Sequence, residues 1–525
     1  MPFRKQEAHT FQGWEQVTEL HERILELAVS RSFFFPANEP YGATGGFYDY
    51  GPVGVLIKRK IENLWRRKFI YEHGFHEMES AIVTPEQILI ASGHVSSFAD
   101  PVVDCKMCKA RIRADTLVEK EVKGWKWDGK IESITLAIKE HEIKCPGCKV
   151  GGALSAAYMF NLMFKTAIGG DQSPAYFRPE TAQGIFTAFP RIFRNHGAKL
   201  PLAVGQVGKS FRNEISPRKG LVRMREFTQM ELEYFFNPGR QGIEEFNKVA
   251  DRKLRMQVEA KTSEMSVRDI SENKIAANEI MAYFLALEWD FYTACGVDQK
   301  RMYFRVLGKA EVPHYSKGNI DLEVETSYGI VETIGNAYRT DFDLSQHAKT
   351  SGQDLSVFVE EEKKKLVPHV FEASMGVDRM FFCILEHCFR EKEASKSKTE
   401  DSKPETVKDW EWFDFPPAIA PYDVAVFPLM KKDGLAEKAE EITARLRSTL
   451  GVLYQESGSI GRRYARADEI GIPYAITIDY DTLKDETVTI RYRNDGGQER
   501  IKISELEVSI RKNIESGRVR LNEKS

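Results

Sequence analysis

The segment 211–236, FRNEISPRKGLVRMREFTQMELEYFF, constrains the fold of this chain more than any other stretch. Its two halves alternate apolar and polar residues, and Pro217 and Gly220 supply turn chemistry between them, which predicts a strand, a basic loop and a return strand. One face of the return strand is apolar and would point into a core. The opposite face would carry an aromatic ring, an amide and two carboxylates, from Phe227, Gln229, Glu231 and Glu233.

The polar side chains of this hairpin suit a nucleotide together with an amine. Arg212 and Arg225 present planar guanidinium groups that can bind phosphate oxygens in pairs. Phe227 can stack on a flat heterocycle, and Glu231 can hold a cation. The alternative is a solvated hairpin whose opposite charges pair across the strands.

Composition limits the class of protein. The length of 525 residues allows two or three domains, and contents of 42% hydrophobic and 29% charged residues are ordinary for a globular protein. The net charge of −3 gives no overall basic signature, although a local basic surface would suffice for RNA. The N-terminus lacks an apolar signal segment and no apolar run reaches transmembrane length, so we expect a cytoplasmic protein with no membrane partner.

Four of the seven cysteines lie in two Cys-x-x-Cys pairs on either side of residues 109–144. Four thiolates form the tetrahedral set that Zn²⁺ prefers in closed structural sites, so we predict that Cys105, Cys108, Cys145 and Cys148 bind zinc. Residues 122–131, VKGWKWDGKI, contain strand-forming residues and an Asp-Gly turn, which predicts a zinc-ribbon hairpin. Disulfides or a redox site are the alternatives, and a cytosolic setting disfavours disulfides.

The segment 369–388, HVFEASMGVDRMFFCILEHC, predicts a strand, a glycine turn and an apolar helix. A charge on so apolar a helix is costly unless it is paired, so Arg379 is either a ligand-binding group or half of a buried ion pair. The segment 329–347 predicts another strand. Glu332 on that strand is a candidate ligand of Mg²⁺ or ATP, because Mg²⁺ sites commonly combine one or two carboxylates with phosphates.

The remaining segments give the predicted organisation of the chain. Helices are predicted over 14–33, 53–70 and 159–168, the second of them followed by an extended piece that ends at Pro85. We predict a catalytic core over 1–390, with a zinc-binding insertion at 101–150 and a helical insertion at 238–305. A charged linker or loop at 391–415 would lead to an α/β domain at 416–525, in which strands and helices alternate.

Three of these segments, in this order, resemble the three motifs of the class II aminoacyl-tRNA synthetases. The helix before Pro85 is similar to motif 1, the hairpin at 211–236 to motif 2, and EASMGVDR at 372–379 to motif 3, with Ala373 where the family usually has proline. The hairpin string, RPETAQ at 178–183 and Arg113-Ala114-Asp115 resemble the glycyl-tRNA synthetase branch. GSIGRRYARADEIGIPYAITID, at 458–479, resembles the class IIa anticodon-binding domain.

The resemblance implies an α+β catalytic domain with an antiparallel class II sheet, a zinc-ribbon-like insertion and a C-terminal α/β anticodon-binding domain. It implies a homodimer formed through motif 1, which activates glycine with ATP and Mg²⁺ and transfers it to the 3′ end of tRNA(Gly). One alternative is a class II enzyme for serine, threonine or proline. Another is a non-catalytic paralogue that acts as a nucleic-acid-binding accessory module, but such proteins typically lose the arginines that stand here at 212 and 379.

The resemblance also assigns roles to residues. Catalytic roles fall to Arg212 and Arg379. Contacts to ATP fall to Arg212, Asn213, Glu214, Val222, Arg223, Met224, Arg225, Glu226, Phe227, Glu332, Thr333, Gly376, Val377, Asp378 and Arg379. Contacts to glycine fall to Arg113, Glu180, Phe227, Gln229, Glu231, Glu372, Ser374 and Gly376. In the C-terminal domain, charge and stacking make Arg462, Arg463, Tyr464 and Arg466 candidate contacts to tRNA.

Overall fold

The computed structural model describes residues 15–217, 220–308, 311–313, 315–360, 362–392 and 410–517. Most of the predicted charged linker at 391–415 therefore lies outside the described residues. On either side of that gap, the strands Phe389–Lys392 and Trp410–Phe413 pair antiparallel. Among the helices within the described ranges, none is long and apolar enough to cross a membrane.

A nine-stranded sheet, called the central sheet below, organises the first three quarters of the chain. Most neighbouring strands are antiparallel, as the resemblance predicted, and parallel pairs occur near the two edges. In spatial order its strands are Lys261–Ser266, Lys253–Val258, Met302–Val306, Asn319–Thr326, Gly329–Thr340, His369–Gly376, Glu226–Phe236, Leu202–Phe211 and His76–Glu77.

Helices cover both faces of the central sheet. On one face, Met230 and Leu232 join the main hydrophobic core with the helices Gly54–Trp65, Glu279–Ala294 and Val377–Cys388. The helix Gly54–Trp65 continues as a π-helical turn, Arg66–Ile70, so the predicted amphipathic helix over 53–70 is confirmed. On the other face a smaller core holds the helices Ala182–Asn195 and Phe342–Ser351 against one end of the strands, and the other end stays open.

The prediction of a helical insertion at 238–305 is wrong for part of this segment. The helices Val267–Glu272 and Glu279–Ala294 form, but three strands between Lys253 and Val306 belong to the central sheet. Leu254 and Met256 are buried while the residues next to them are more exposed, which is the period-two pattern of a strand. The segment therefore completes the sheet.

The two cysteine pairs belong to a small unit, residues 99–161, called the cysteine module below. Its strands are Ala99–Asp104, Arg111–Arg113 and Tyr158–Asn161, and its helices are Ala114–Glu121 and Ile131–Glu140. No strand forms at 122–131, which the structure describes throughout, so the predicted hairpin is wrong. Asp128 instead accepts hydrogen bonds from Lys130 N (3.0 Å) and from the Ser133 hydroxyl, so it lies just before the second helix and contacts its first turn.

A third sheet connects the cysteine module to the central sheet. Its strands are Val83–Pro85, Ser173–Phe177 and Lys165–Ile168. The prediction of a helix over 159–168 is therefore wrong. Residues 159–161 pair with the strand Ala99–Asp104, and residues 165–168 pair with the strand Ser173–Phe177. Further elements of the catalytic region are the helices Glu15–Ser30, Glu86–Ala91 and His94–Ser97, the strand pairs Phe34–Pro36 with Tyr48–Tyr50 and Val357–Val359 with Lys364–Leu366, and the 3₁₀ turns Glu39–Tyr41, Tyr71–His73, Glu244–Lys248 and Gln299–Arg301.

The C-terminal unit is the α/β domain that alternation predicted. Its sheet runs Val452–Tyr454, Val424–Pro428, Tyr474–Ile478, Thr487–Tyr492 and Gln498–Lys502, the first three strands parallel and the last two antiparallel. Its helices are Leu435–Leu446, Ile460–Glu469, Thr482–Asp485 and Leu506–Ser516, with a 3₁₀ turn at Ile503–Glu505. Arg31 binds Glu469 (2.5 Å) and Lys60 binds Asp423 (2.6 Å), which joins this unit to the first helices of the chain.

Candidate active site

The open end of the central sheet forms a pocket of about 290 Å³. The strands Glu226–Phe236 and His369–Gly376 form its floor. Their residues Glu231 and Ser374 lie directly opposite each other, and both line the pocket. Most of the residues that the sequence singled out line this pocket. They are Glu180, Arg212, Glu214, Val222, Arg223, Met224, Phe227, Gln229, Glu231, Glu332, Thr333, Glu372, Ser374, Gly376, Asp378 and Arg379.

Five of the predicted contacts lie outside this lining. Arg225 donates hydrogen bonds to the carbonyl oxygens of Gly45 (2.7 Å) and Glu214 (2.9 Å), so it braces the hairpin. Asn213 donates its backbone N–H to the Leu162 carbonyl (2.6 Å). The other three are engaged elsewhere: Arg113 binds Asp115, Glu226 binds Lys209, and Val377 is fully buried in the core.

Two arginines line the pocket with their guanidinium groups held by backbone oxygens. Arg212 donates from Nε to the Pro179 carbonyl (3.1 Å), and its guanidinium lies 5.4 Å from the centre of the Phe227 ring. Arg379 donates to the carbonyl oxygens of Val222 (3.1 Å) and Glu332 (2.8 Å). Both guanidinium groups are therefore fixed in place by backbone oxygens and keep further donors for an anion.

Glu231 lines the pocket with both carboxylate oxygens bound. Oε2 accepts from the backbone N–H of Thr181 (2.8 Å) and from its hydroxyl, and Oε1 accepts from Gln229 Nε2 (2.8 Å) and Ser374 Oγ (2.6 Å). Burial and the charge of Glu180 raise the pKa of Glu231, and the hydrogen bonds from Ser374 and Thr181 oppose the rise. A cation in the pocket would remove the conflict between these carboxylates.

Arg339 is buried behind the pocket lining and binds two more acidic residues. It binds Asp343 through two nitrogens (2.7 and 2.8 Å) and Glu372 through Nη1 (2.8 Å), and its guanidinium lies 4.2 Å from the Tyr315 ring centre. Burial, together with Glu231 and Glu180, raises the pKa of Glu372 to about 8 in spite of Arg339. This part of the pocket therefore binds a cation most strongly after Glu372 ionises.

Glu180 completes the acidic group. Oε1 accepts from Gln183 Nε2 (2.8 Å), and Oε2 lies 3.4 Å from His94 Nε2. Burial opposes its ionisation, but His94 and Arg339 hold the pKa of Glu180 below its usual range. Glu233, the next residue on this face of its strand, is fully buried, and neither of its oxygens has a hydrogen-bond partner within the described residues. Burial and the charge of Glu372 raise the pKa of Glu233 well above its usual range.

Sequence reasoning missed several residues of this pocket. Asp321 lines it beside Glu332, and burial with the Glu332 charge raises the pKa of Asp321 to about 7. The signal was present in the sequence, because Asp321 and Glu323 share one face of a strand whose other face is Ile320, Leu322 and Val324. Tyr315 and Asn319 also line the pocket, and Arg339 supports it from below.

Asp378 is bound by groups from two distant segments of the chain. Its Oδ1 accepts from the Tyr50 hydroxyl (2.7 Å) and its Oδ2 accepts from the backbone N–H of Thr228 (2.6 Å). It therefore ties the start of the strand that carries Phe227 to the helix turn that carries Arg379. Although Asp378 borders the pocket, both of its oxygens are occupied within the fold.

The four predicted zinc ligands come together. Their sulfur atoms all lie within 4.8 Å of one another, and the Cys105–Cys148 and Cys108–Cys145 pairs are each 3.6 Å apart. Four sulfurs bound tetrahedrally at about 2.3 Å from Zn²⁺ would lie roughly 3.8 Å from each other. The donor set and its spacing therefore fit zinc.

The four predicted tRNA contacts separate into two kinds. Arg462 and Arg466 are exposed on the helix Ile460–Glu469. Arg463 is only 2% exposed, and its guanidinium donates to the carbonyl oxygens of Pro428 (2.6 Å) and Gln455 (3.3 Å), so the prediction that it contacts RNA is wrong. Tyr464 is half-buried, and its ring lies 4.9 Å from the Arg491 guanidinium.

Comparison with known proteins decides which family this pocket belongs to. Residues 164–388 match the tRNA synthetase class II core domain (G, H, P, S and T), and residues 423–513 match the anticodon binding domain. A glycine–tRNA ligase from Methanothrix thermoacetophila is 39% identical over 95% of this chain and 97% of that protein. The chain belongs to the glycine–tRNA ligase family.

Other glycine–tRNA ligases are similar over the same extent. The protein from Methanocaldococcus jannaschii is 37% identical over 93% of this chain and 98% of its own length. The protein from Pyrococcus furiosus is 38% identical over 93% of this chain and 97% of its own length. The resemblance to the glycyl-tRNA synthetases and the predicted class II core with a C-terminal anticodon-binding domain are thereby confirmed.

Proposed function

We propose that this chain activates glycine with ATP to form glycyl-adenylate and then transfers the glycyl group to the 3′ end of tRNA(Gly). The observation that carries the proposal is the pocket itself, in which two arginines fixed by backbone oxygens face three carboxylates across one cavity. Such a site matches a polyphosphate at one end and an ammonium group at the other.

The first step needs no general base, because the glycine carboxylate is already ionised when it attacks the α-phosphorus and pyrophosphate leaves. The protein therefore contributes position and charge. We assign the α-phosphate to Arg212 and the adenine ring to Phe227, with Glu214 accepting from the adenine amino group. The terminal phosphates fall to Arg379 and to Arg223, which lines the pocket whereas Arg225 does not.

The glycine ammonium group falls to Glu180, Glu231 and Glu372. Gln229 and Ser374 orient Glu231, and Arg339 orients Glu372. Because a small, rigid pocket can exclude larger side chains sterically, selectivity for glycine does not require the site to detect a missing methyl group, which is worth only ~1–3 kcal/mol.

The residues present also fit two metal ions. Asp321 and Glu332 place two carboxylates beside the proposed phosphate site, which suits Mg²⁺, and Mg²⁺ would offset phosphate charge when bound. The four cysteines would hold Zn²⁺ in a closed site that has no open position for a substrate, so we assign the zinc a structural role.

The remaining partners follow from surfaces. We propose that tRNA contacts the C-terminal domain through exposed groups such as Arg462 and Arg466. We propose a homodimer formed next to the motif 1 helix, where Ile82, Val83 and Ile90 are 37–51% exposed. As an enzyme of translation, the protein would act in the cytoplasm.

The alternative of a non-catalytic paralogue is not favoured. Arg212 and Arg379 both line the pocket, and the similarity to glycine–tRNA ligases covers nearly the whole chain.

Transfer of labelled glycine to a tRNA(Gly) transcript tests the proposal. We expect ATP-dependent labelling of tRNA(Gly) and none of a transcript for another amino acid. Arg379→Ala should lower kcat/KM by at least ~100-fold, since a charge-assisted contact to a transferring phosphate is lost. Failure of the zinc-loaded, folded chain to label tRNA(Gly) would contradict the proposal.

A further inference from the structure

One short segment contacts both halves of the pocket although it lies outside the residues that match the class II core. It comprises Ser92, the helical turn His94–Ser97 and Phe98, and is called the bridging turn below. The match to the core family begins at residue 164.

On the phosphate side, Phe98 contacts Arg212. The Arg212 guanidinium lies 5.4 Å from the centre of the Phe98 ring and 5.4 Å from the centre of the Phe227 ring. A guanidinium that contacts two aromatic rings, with its Nε bound to the Pro179 carbonyl, has little freedom to rotate. Phe98 therefore limits where the remaining donors of Arg212 can point.

On the ammonium side, His94 contacts Glu180. Its Nε2 lies 3.4 Å from Glu180 Oε2, and its Nδ1 lies 2.8 Å from the hydroxyl oxygen of Ser92, which is buried. The hydroxyl can donate to Nδ1, which leaves Nε2 with its proton facing the carboxylate. His94 thus fixes the second oxygen of Glu180, while Gln183 binds the first.

The two contacts are connected to each other. The rings of His94 and Phe98 pack edge to face with 5.5 Å between their centres. The last residue of the cysteine module and the residue after it hold the turn. Asn161 Nδ2 donates to the Val95 carbonyl (3.1 Å), and Leu162 N donates to the Phe98 carbonyl (3.0 Å). Asn213, next to Arg212, donates its N–H to the Leu162 carbonyl (2.6 Å).

We propose that the bridging turn couples the two substrate sites: His94 and Phe98 are positioning residues that link the orientation of Glu180 to the orientation of Arg212. The proposal rests on the assignment of these two groups to glycine and ATP. It means that glycine in the pocket favours the Arg212 geometry that binds the α-phosphate, and that ATP favours glycine binding by the same factor.

Calorimetric titration of the full chain with α,β-methylene ATP, with and without saturating glycine, tests the bridge. Phe98→Leu keeps an apolar side chain but removes the ring face, so it should weaken binding of the ATP analogue by roughly 3- to 10-fold. Phe98→Tyr keeps the ring and should bind within about twofold of the wild type. In Phe98→Leu and in His94→Ala, the effect of glycine on the analogue affinity should fall towards none.

Phe160→Leu is the matched control. Phe160, in the neighbouring cysteine module, has its ring centre 4.5 Å from the guanidinium of Arg111. Arg111 does not line the pocket, whereas the Arg212 that Phe98 contacts does, so analogue binding and the glycine effect should stay as in the wild type. Equal losses in Phe98→Leu and Phe98→Tyr, or an undiminished glycine effect in His94→Ala, would overturn the bridge. Absence of glycine-dependent adenylation in the wild type would count against the proposed function. The titration measures binding of the ATP analogue alone, so it tests the contribution of Phe98 separately from that reaction.

Discussion

At the residue scale, the pocket shows which roles a sequence can reveal and which it cannot. Arg212 stands just after the strand that ends at Phe211, although the sequence predicted it on that strand. Phe227 and Glu231 were predictable because they alternate on a strand whose other face is apolar. Arg339 and Phe98 were not, since nothing in their neighbouring residues says that they meet Glu372 and Arg212. Asp378 was misleading for the same reason: its partners, Tyr50 and the N–H of Thr228, come from distant segments.

Removing one carboxylate should affect glycine far more than ATP. In Glu372→Gln the ammonium loses a charged partner, and we expect the KM for glycine at pH 8.5, where most of the wild type is ionised at this group, to rise roughly 10-fold. The KM for ATP should change by no more than about twofold, because the phosphates lie at the other end of the pocket. Glu77→Gln, which removes an ion-pair partner of Arg66 outside the pocket lining, is the control. Equal changes in both KM values would remove the assignment of Glu372 to glycine.

The glycine site should also respond to pH. Glu372 has a pKa of about 8, so only a minority of the unliganded protein carries the ionised group at pH 7. As pH rises from 6.5 to 8.5 that fraction grows, and the KM for glycine should fall by ~5- to 10-fold. The fall should be absent in Glu372→Gln. A pH-independent KM for glycine in the wild type would show that Glu372 is already ionised.

At the scale of elements, patterns of period two and 3.6 predicted the core strands and helices, whereas the predictions for 122–131, 159–168 and part of 238–305 were wrong. The Asp-Gly pair at 128–129 suits a hairpin turn, but here it precedes a helix, and Trp125 and Trp127 pack on the small core of the cysteine module. The segment 253–266 is rich in charged residues, yet its two strands form one edge of the central sheet, where one face is exposed.

The helix Glu279–Ala294 carries a buried acid whose titration should govern stability. Burial raises the pKa of Glu288 to about 8 from its ordinary 4.5, with one hydrogen bond from Asn336 (2.9 Å). The folded state therefore keeps a proton that the unfolded chain releases, so this contribution is complete below pH 4.5 and is lost as pH rises through about 8.

Glu288→Gln should remove this loss. We expect the variant to exceed the wild type in free energy of unfolding at pH 9, by on the order of 5 kcal/mol, and to differ little at pH 4.5. Denaturant titrations across this pH range measure the difference, and Glu272→Gln on an exposed helix position is the control. A difference in free energy of unfolding between variant and wild type that does not depend on pH would contradict a raised pKa of Glu288.

The cysteine module should depend on its metal. Cys145→Ser removes one of four ligands, so bound zinc should fall well below one equivalent and backbone amides in 99–161 should exchange faster with solvent. Metal analysis and hydrogen exchange give the two readouts. Lys144→Ala, an exposed neighbour, should keep the zinc. Full zinc content and unchanged exchange in Cys145→Ser would show that these thiols do not form the site.

At the scale of the whole molecule, the catalytic and C-terminal units share one core. Ala467, Ile470 and Ile472 from the C-terminal unit pack into the main core of the catalytic region. The fully buried Arg493 binds Asp414 (2.5 Å) and the Gly471 carbonyl (2.7 Å) at this junction. The order of the motifs predicted two units, but the sequence did not show that the helix with Arg463 would lie between them, because that depends on how the two units pack.

The most direct test of the account is glycine-dependent exchange of labelled pyrophosphate into ATP, which reports adenylate formation without any tRNA. We predict exchange with glycine and none above background with serine, alanine, threonine or proline, and loss of exchange in Arg212→Ala. Exchange with another amino acid instead would contradict the glycine site, and no exchange with any of them from folded, zinc-loaded protein would contradict catalysis by this pocket.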